Sequence, residues 1–126
     1  MARLLVVDDD PDILALVTAR CRNAGHKVLT ATSGQQALEV LGETPPDVAI
    51  LDVGLPMMTG FELLTELRKR EGMTDLPAIF LSARVQQESI DAGRELGATY
   101  LTKPFVASAL LTAIDRALPT DDGDGW

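Results

Sequence analysis

Short apolar runs alternate along the chain with longer stretches of helical periodicity, and this alternation predicts the elements. Leu4-Leu5-Val6-Val7 is a continuous apolar run of strand composition. It leads into Asp8-Asp9-Asp10-Pro11, where Asp10 is placed to cap a helix and Pro11 suits its first position. Ile13, Leu14, Leu16, Val17 and Cys21 mark an apolar stripe on that helix, which ends near Asn23-Ala24-Gly25. Lys27 to Ala31 reads as a second strand. Ser33 and Gln36 have capping-box spacing and introduce a helix reaching about Leu41. Beyond Thr44-Pro45-Pro46, the run Val48-Ala49-Ile50-Leu51 forms the third strand and ends in Asp52. Thr59 and Glu62 repeat the capping spacing and open a helix to about Arg70. Ala78-Ile79-Phe80-Leu81 is a fourth strand. A helix follows over about Gln86 to Leu96, stopped by Gly97. Ala98 to Leu101 is the fifth strand, and a last helix covers about Val106 to Leu118. The stretch from Pro119 to Trp126 is acidic and glycine-containing, and is expected to be a disordered tail or the start of a linker.

Strand and helix in strict alternation predict an α/β fold, a doubly wound five-stranded parallel sheet with helices on both faces. Right-handed crossovers then bring the carboxyl ends of all strands to one edge, where open α/β sheets bind ligands. The order of the strands is not contained in this pattern. At 126 residues the chain fits one domain, expected over 1–118. A net charge of -8 argues against direct binding to nucleic acid or to an anionic membrane. Cys21, the single cysteine, cannot form an internal disulfide, and the first apolar run is too short for a leader or a membrane span. A cytoplasmic protein is expected.

An unpaired carboxylate at the end of a buried strand is expensive, which makes Asp52 the first functional suspect. The topology delivers Asp8 and Asp9 from the first strand, Asp52 from the third, Ser82 from the fourth, and Thr102 and Lys103 from the fifth. Carboxylates converging on one crevice repel one another unless a cation lies among them, and an all-oxygen set suits Mg²⁺. A lysine and a hydroxyl beside that metal would receive an anion with several acceptor oxygens, as phosphoryl transfer requires. No phosphate-cradling glycine loop follows the first strand, so the phosphoryl group would come from outside and be held on the protein as an aspartyl phosphate. From the residues alone, a Mg²⁺-dependent carboxylate phosphoacceptor and a metal hydrolase both remain open.

Four segments in order resemble the receiver domain of two-component response regulators: Val6-Val7-Asp8-Asp9-Asp10-Pro11, Leu51 to Gly60, Leu81-Ser82-Ala83 and Lys103-Pro104-Phe105. The resemblance covers about residues 3–118 and implies a flavodoxin-like (β/α)5 fold. It implies that Asp52 accepts a phosphoryl group from a sensor histidine kinase or a phosphotransfer protein. Asp9, Asp52 and the Gly54 carbonyl would bind Mg²⁺ directly, with Asp8 holding it through water. Lys103 would pair with the acceptor and then the phosphate, its bond to Pro104 being cis. Ser82 would be the switch hydroxyl and Tyr100 the aromatic that turns inward after it. Ala83 would leave the phosphate accessible and contact it through its backbone. The helix over 86–96, the fifth strand and the last helix would form the face that meets a downstream partner or output domain, or a second copy in a homodimer. Such a domain is a signalling module with self-catalysed phosphorylation and dephosphorylation, not a turnover enzyme.

Several of these positions also fit other roles. Asp10 is better explained as a helix cap than as a ligand. His26 is expected to be an exposed bystander and Cys21 a core residue. Tyr100 also fits plain packing; Met57 and Met58 fit loop filling as well as a partner contact. An Asp-nucleophile phosphatase would want a second acid two residues after Asp52, where Gly54 stands. A receiver cut from a longer regulator with a DNA-binding or enzymatic output is a second alternative, and a phosphate-independent interaction module a third. Gly54 offers no side chain to orient an attacking water, while Arg84 is a cation within reach of the phosphate. Together they are expected to set phosphoryl lifetime. Replacing Arg84 by alanine should therefore accelerate loss of phosphate from the modified protein, and an unchanged decay rate would remove the shielding role.

Overall fold

Continuous apolar strands need cover on both faces, and the computed structural model of this chain supplies it. It describes residues 2–42, 44–70, 72–83 and 86–118. The elements run β1 (Arg3–Val7), α1 (Pro11–Asn23), β2 (Lys27–Ala31), α2 (Gly34–Leu41), β3 (Val48–Asp52), α3 (Gly60–Arg68), β4 (Ala78–Ser82), α4 (Gln87–Glu95), β5 (Thr99–Thr102) and α5 (Ala107–Ala117). The five strands form one parallel sheet in the order β2-β1-β3-β4-β5. This supplies what the hydrophobic pattern could not. Element bounds differ from the expected ones by a residue or two at the ends, where β3 and β4 take in Asp52 and Ser82 and α3 stops at Arg68.

Successive side chains of a strand point to opposite faces. Leu4 and Val6 lie in a core with Val17 and Cys21 of α1 and Leu110, Ala113 and Ile114 of α5. Leu5 and Val7 lie in the opposite core, with Ala37 and Leu41 of α2 and Leu63, Leu64 and Leu67 of α3. Every residue of β3 and β4 is buried, whereas β5, at the sheet edge, is half exposed. Each fully buried Leu or Ile in these layers contributes about 1.5–3 kcal/mol of transfer free energy. Cys21 is buried as expected, and burial pushes its thiol up to about 11. Leu16, assigned to the same stripe, is instead 43% exposed, because the buried face of α1 is centred on Val17 and Cys21.

Helix starts follow the sequence closely. Asp10 accepts from the N–H groups of Asp12 and Ile13. Thr59 and Glu62 form a reciprocal capping box. At Ser33 only half of the expected box exists: Ser33 accepts from Gln36 N–H, but the Gln36 side chain accepts from Thr32 N–H instead. His26 is half-buried rather than exposed, and its Nδ1 accepts from Ala2 N–H at 3.2 Å. Two arginines at the end of α3 satisfy carbonyls of neighbouring elements. Arg68 donates to Leu76 O and Leu96 O, and Arg70 donates to Leu38 O and Gly42 O. Among the described residues no helix is long and apolar enough to cross a membrane. The stretch from Pro119 to Trp126 lies outside the described residues.

The order β2-β1-β3 means that the chain reverses its winding direction between β1 and β3, which opens a crevice at their carboxyl ends. Register pairs Val7 with Leu51, so Asp8 and Asp52 leave the sheet side by side. The N-terminus of α3 is pressed onto the end of β3. Gly60 N–H donates to Val53 O at 2.9 Å, and a Cβ on Gly60 would overlap the Asp52 carbonyl oxygen. Backbone cannot yield there as a flexible side chain would. Gly60→Ala should cost about 2–3 kcal/mol in denaturant unfolding; a variant as stable as wild type would show that α3 is not held at this distance.

Candidate functional site

At the carboxyl end of the sheet, β1 places Asp8 and Asp9, β3 places Asp52, β4 places Ser82, and the segment after β5 places Lys103. One carboxylate oxygen from each of Asp8, Asp9 and Asp52 lies within 4.8 Å of the others. Asp8 is 2% exposed, Asp52 8% and Ser82 1%, whereas Asp9 is exposed. The cluster is therefore a shallow pit with one carboxylate at its rim. Lys103 Nζ donates to Asp8 Oδ2 at 2.9 Å and stands 3.6 Å from Asp52 Oδ1. The expected partner of Lys103 was Asp52; its shorter contact is with Asp8. Asp8 Oδ1 also accepts from Asp10 N–H at 2.9 Å, and Asp52 Oδ1 accepts from Gly54 N–H at 3.3 Å. The Lys103–Pro104 bond is cis, as the resemblance implied. Lys103 N–H donates to Ser82 O at 2.7 Å, which fastens the start of the β5–α5 connection to the end of β4.

Charge in this pit is not balanced. Burial, followed by the field of Asp8, raises the Asp52 pKa above its ordinary value; Lys103 and the Gly54 N–H oppose the shift without cancelling it. Burial pulls Lys103 down, but its hydrogen bond to Asp8 and the fields of Asp52 and Asp8 together hold it above its ordinary value. One firmly charged ammonium thus faces three carboxylates. Only oxygen donors converge, they carry more negative charge than the lysine neutralises, and Asp52 resists ionisation without further positive charge. That donor set fits a hard divalent cation.

Of the other expected site residues, all but Arg84 are described. Gly54 is exposed, and a Cβ on it would meet nothing within 4 Å. Ala83 follows Ser82 and is exposed. Tyr100 is half-buried, its ring 6.4 Å from that of Phe80, with which it pairs in register. Thr102 is exposed at the end of β5. Arg84 lies outside the described residues. Met57 is fully exposed with φ 69°, while Met58 packs its sulfur toward Gly34 at the start of α2. Sequence reasoning missed the Gly60 contact with the Asp52 backbone and the Arg68 ties, because neither produces a local pattern. A groove of about 640 Å³ between α3 and α4 is lined by Met57, Met58, Phe61 and Leu96 and contains none of the three carboxylates.

Comparison with known proteins follows the same outline. The family model described as "Response regulator receiver domain" matches residues 4–115. The transcriptional regulatory protein PrrA of Mycobacterium leprae is 41% identical over 117 residues, covering 92% of this chain and 49% of PrrA. Protein PilH of Pseudomonas aeruginosa is 34% identical over 119 residues, covering 94% of this chain and 98% of PilH. The chain thus spans about half the length of PrrA-type relatives and nearly all of PilH. Chemotaxis protein CheY4 of Vibrio cholerae superposes with a TM-score of 0.86 at 36% identity, over 94% of this chain and 99% of CheY4.

The raised pKa of Asp52 has a consequence for stability. A carboxylate whose folded-state pKa exceeds its unfolded value weakens the fold as pH rises from the ordinary carboxylate range through the folded value, and the loss is complete above it. Without divalent ions at neutral pH, Asp52→Asn should therefore melt above wild type, by roughly 3–5 °C per kcal/mol relieved. The gap should close at a pH low enough to protonate Asp52 in the wild type. A wild type melting at or above the variant at neutral pH would contradict the assigned repulsion.

Proposed function

The chain belongs to the response regulator receiver domain family, and from that membership we propose that Asp52 is its phosphoacceptor. The carrying observation is the position of Asp52: at the end of the central strand, within 4.8 Å of Asp8 and Asp9 oxygens and 3.6 Å from Lys103 Nζ. Receiver domains accept phosphoryl groups rather than turning over a substrate, and they work with histidine kinases and output domains. Here an Asp52 carboxylate oxygen attacks phosphorus of a phosphohistidine on a kinase or phosphotransfer protein, and the phosphorus–nitrogen bond breaks with its electron pair leaving on the histidine. Asp9, Asp52 and the Gly54 carbonyl would hold Mg²⁺, with Asp8 acting through water, and the ion would supply positive charge for the transferring oxygens. Lys103 provides the second positive charge and the Ala83 N–H and Ser82 hydroxyl hold phosphate oxygens. Its present bond to Asp8 supports this, because it holds the ammonium beside the acceptor without neutralising the acceptor fully.

After transfer, Ser82 moves onto the phosphate and Tyr100 follows into the vacated space, which alters α4, β5 and α5. The half-exposed edge strand β5 supports that face as the place where a partner, an output domain or a second copy binds. Open space over Gly54 supports its part in phosphate lifetime, since no side chain there directs water, and Arg84 is the proposed shield. The relatives of about twice this length support a second reading in which the same switch acts on an output domain in a longer chain. A cytoplasmic setting, with a kinase as donor, accompanies either reading.

Incubation with Mg²⁺ and a small acyl phosphate, followed by intact-mass measurement, tests the acceptor. Wild type should gain one phosphate-mass adduct, lost when metal is chelated and absent from Asp52→Asn; Lys103→Ala should slow uptake by at least about tenfold, the scale of a lost charge in such a site. Equal modification of Asp52→Asn would overturn the assignment.

A further inference from the structure

α4 is lightly anchored. Its N-cap, Gln86, makes no side-chain capping bond, and Gly93 alone among its residues is fully buried. Its C-terminal end is tied by Arg68 Nη1, which donates to Leu96 O at 2.6 Å. Glycine inside a helix weakens it relative to alanine, so a glycine at the one buried position of this helix calls for a local reason. The reason is space. A Cβ on residue 93 would stand 2.9 Å from Tyr100 Cδ2, 3.3 Å from Phe80 Cδ2 and 3.7 Å from Phe61 Cε1. Carbon atoms pack best at about 3.5–4.0 Å, so the first of these contacts could not stand unchanged.

The three rings form a connected layer beneath α4. Phe61 meets Phe80 edge-on at 4.9 Å between centroids, and Phe80 lies 6.4 Å from Tyr100. Phe80 precedes Ser82 by two residues on β4, so both side chains lie on the same face of the strand. A line of direct neighbours therefore runs from Ser82 along β4 to Phe80, across to Tyr100 and up to the backbone of α4 at Gly93.

Resting on the reading of Ser82 and Tyr100 given above, we propose that Gly93 is the positioning residue through which α4 senses the Tyr100 ring. Because residue 93 has no side chain, the ring lies against the helix backbone itself. Ring movement then leaves a gap directly under the helix, and the lightly anchored α4 resettles into it while Arg68 retains its C-terminal end. A side chain at 93 would hold ring and helix apart and disfavour the ring position seen here. Gly93 touches no reacting atom; it couples the ring to the helix.

Tyr100 is the chain's single tyrosine, so fluorotyrosine labelling gives one fluorine NMR reporter at the proposed contact. Gly93→Ala should move that resonance in the unphosphorylated protein. It should also change the rate of phosphoryl uptake from a small acyl phosphate by about three- to tenfold, the range for residues that carry coupling between sites. In a Tyr100→Leu background the same substitution should leave uptake unaltered, because the Tyr100 ring, which stands closest to the added Cβ, is gone. Gln86→Ser, which supplies the missing cap and stiffens α4 away from the rings, should leave the resonance in place. An unmoved resonance in Gly93→Ala, an uptake effect that persists without the tyrosine, or a Gln86→Ser protein that reproduces both changes would overturn the proposal. Failure of the underlying acceptor assignment shows separately, as a wild type without adduct or an Asp52→Asn protein with one.

Discussion

Mutual repulsion among three carboxylates, two of them buried, is the constraint on which the rest of this structure depends. A sheet edge is a poor place to ionise a carboxylate, and Asp8 makes Asp52 harder still to ionise. Lys103 relieves part of this strain from the end of β5 but gives its shorter bond to Asp8. Asp52 is left under-neutralised. A divalent cation would bring the positive charge that the pit lacks.

Holding such a pit together falls to the least yielding part of the fold. β1, β3 and β4 are buried almost throughout and lock Asp8, Asp52 and Ser82 into register. α3 is driven against the Asp52 backbone by Gly60, and the two arginines at its other end bind the carbonyls of α2, α4 and the turn before β4. On the far side the structure loosens. β5 is half exposed, and α4 has neither a side-chain cap nor more than one fully buried residue. Elements of this kind open at lower free energy than a two-sided core. The carboxylates sit on the rigid half, and the lightly held elements lie on the other.

Much of this was legible in the chain. The apolar runs ending in Asp8 and Asp52 located strands, edge and acceptor candidate, because burial on both faces leaves a strong signature in consecutive residues. Asp10, Thr59 and Glu62 gave their caps correctly, since capping is local. Legibility fails where the partner is distant. Strand order depends on packing between elements, so it left no mark in the alternation. The preference of Lys103 for Asp8 depends on fractions of an ångström between competing carboxylates. His26 read as a bystander because its partner, Ala2 N–H, is far away in sequence, and Ser33 read as a full capping box because Thr32 N–H competes for the Gln36 side chain. Gly93 carried no signal, for a helix glycine explains itself only once the rings beneath it are known.

The bond from Lys103 to Asp8 joins residues 95 positions apart, from the two ends of the described fold. During synthesis β1 and the Asp8 that follows it emerge early and Lys103 late, with four other strands made between them. With β1 and β3 alone, the carboxylates would lack the ammonium that faces them. The charge set of the pit is therefore complete only once β5 has docked and carried Lys103 to it, so the last strand of the sheet is also the last part of the site.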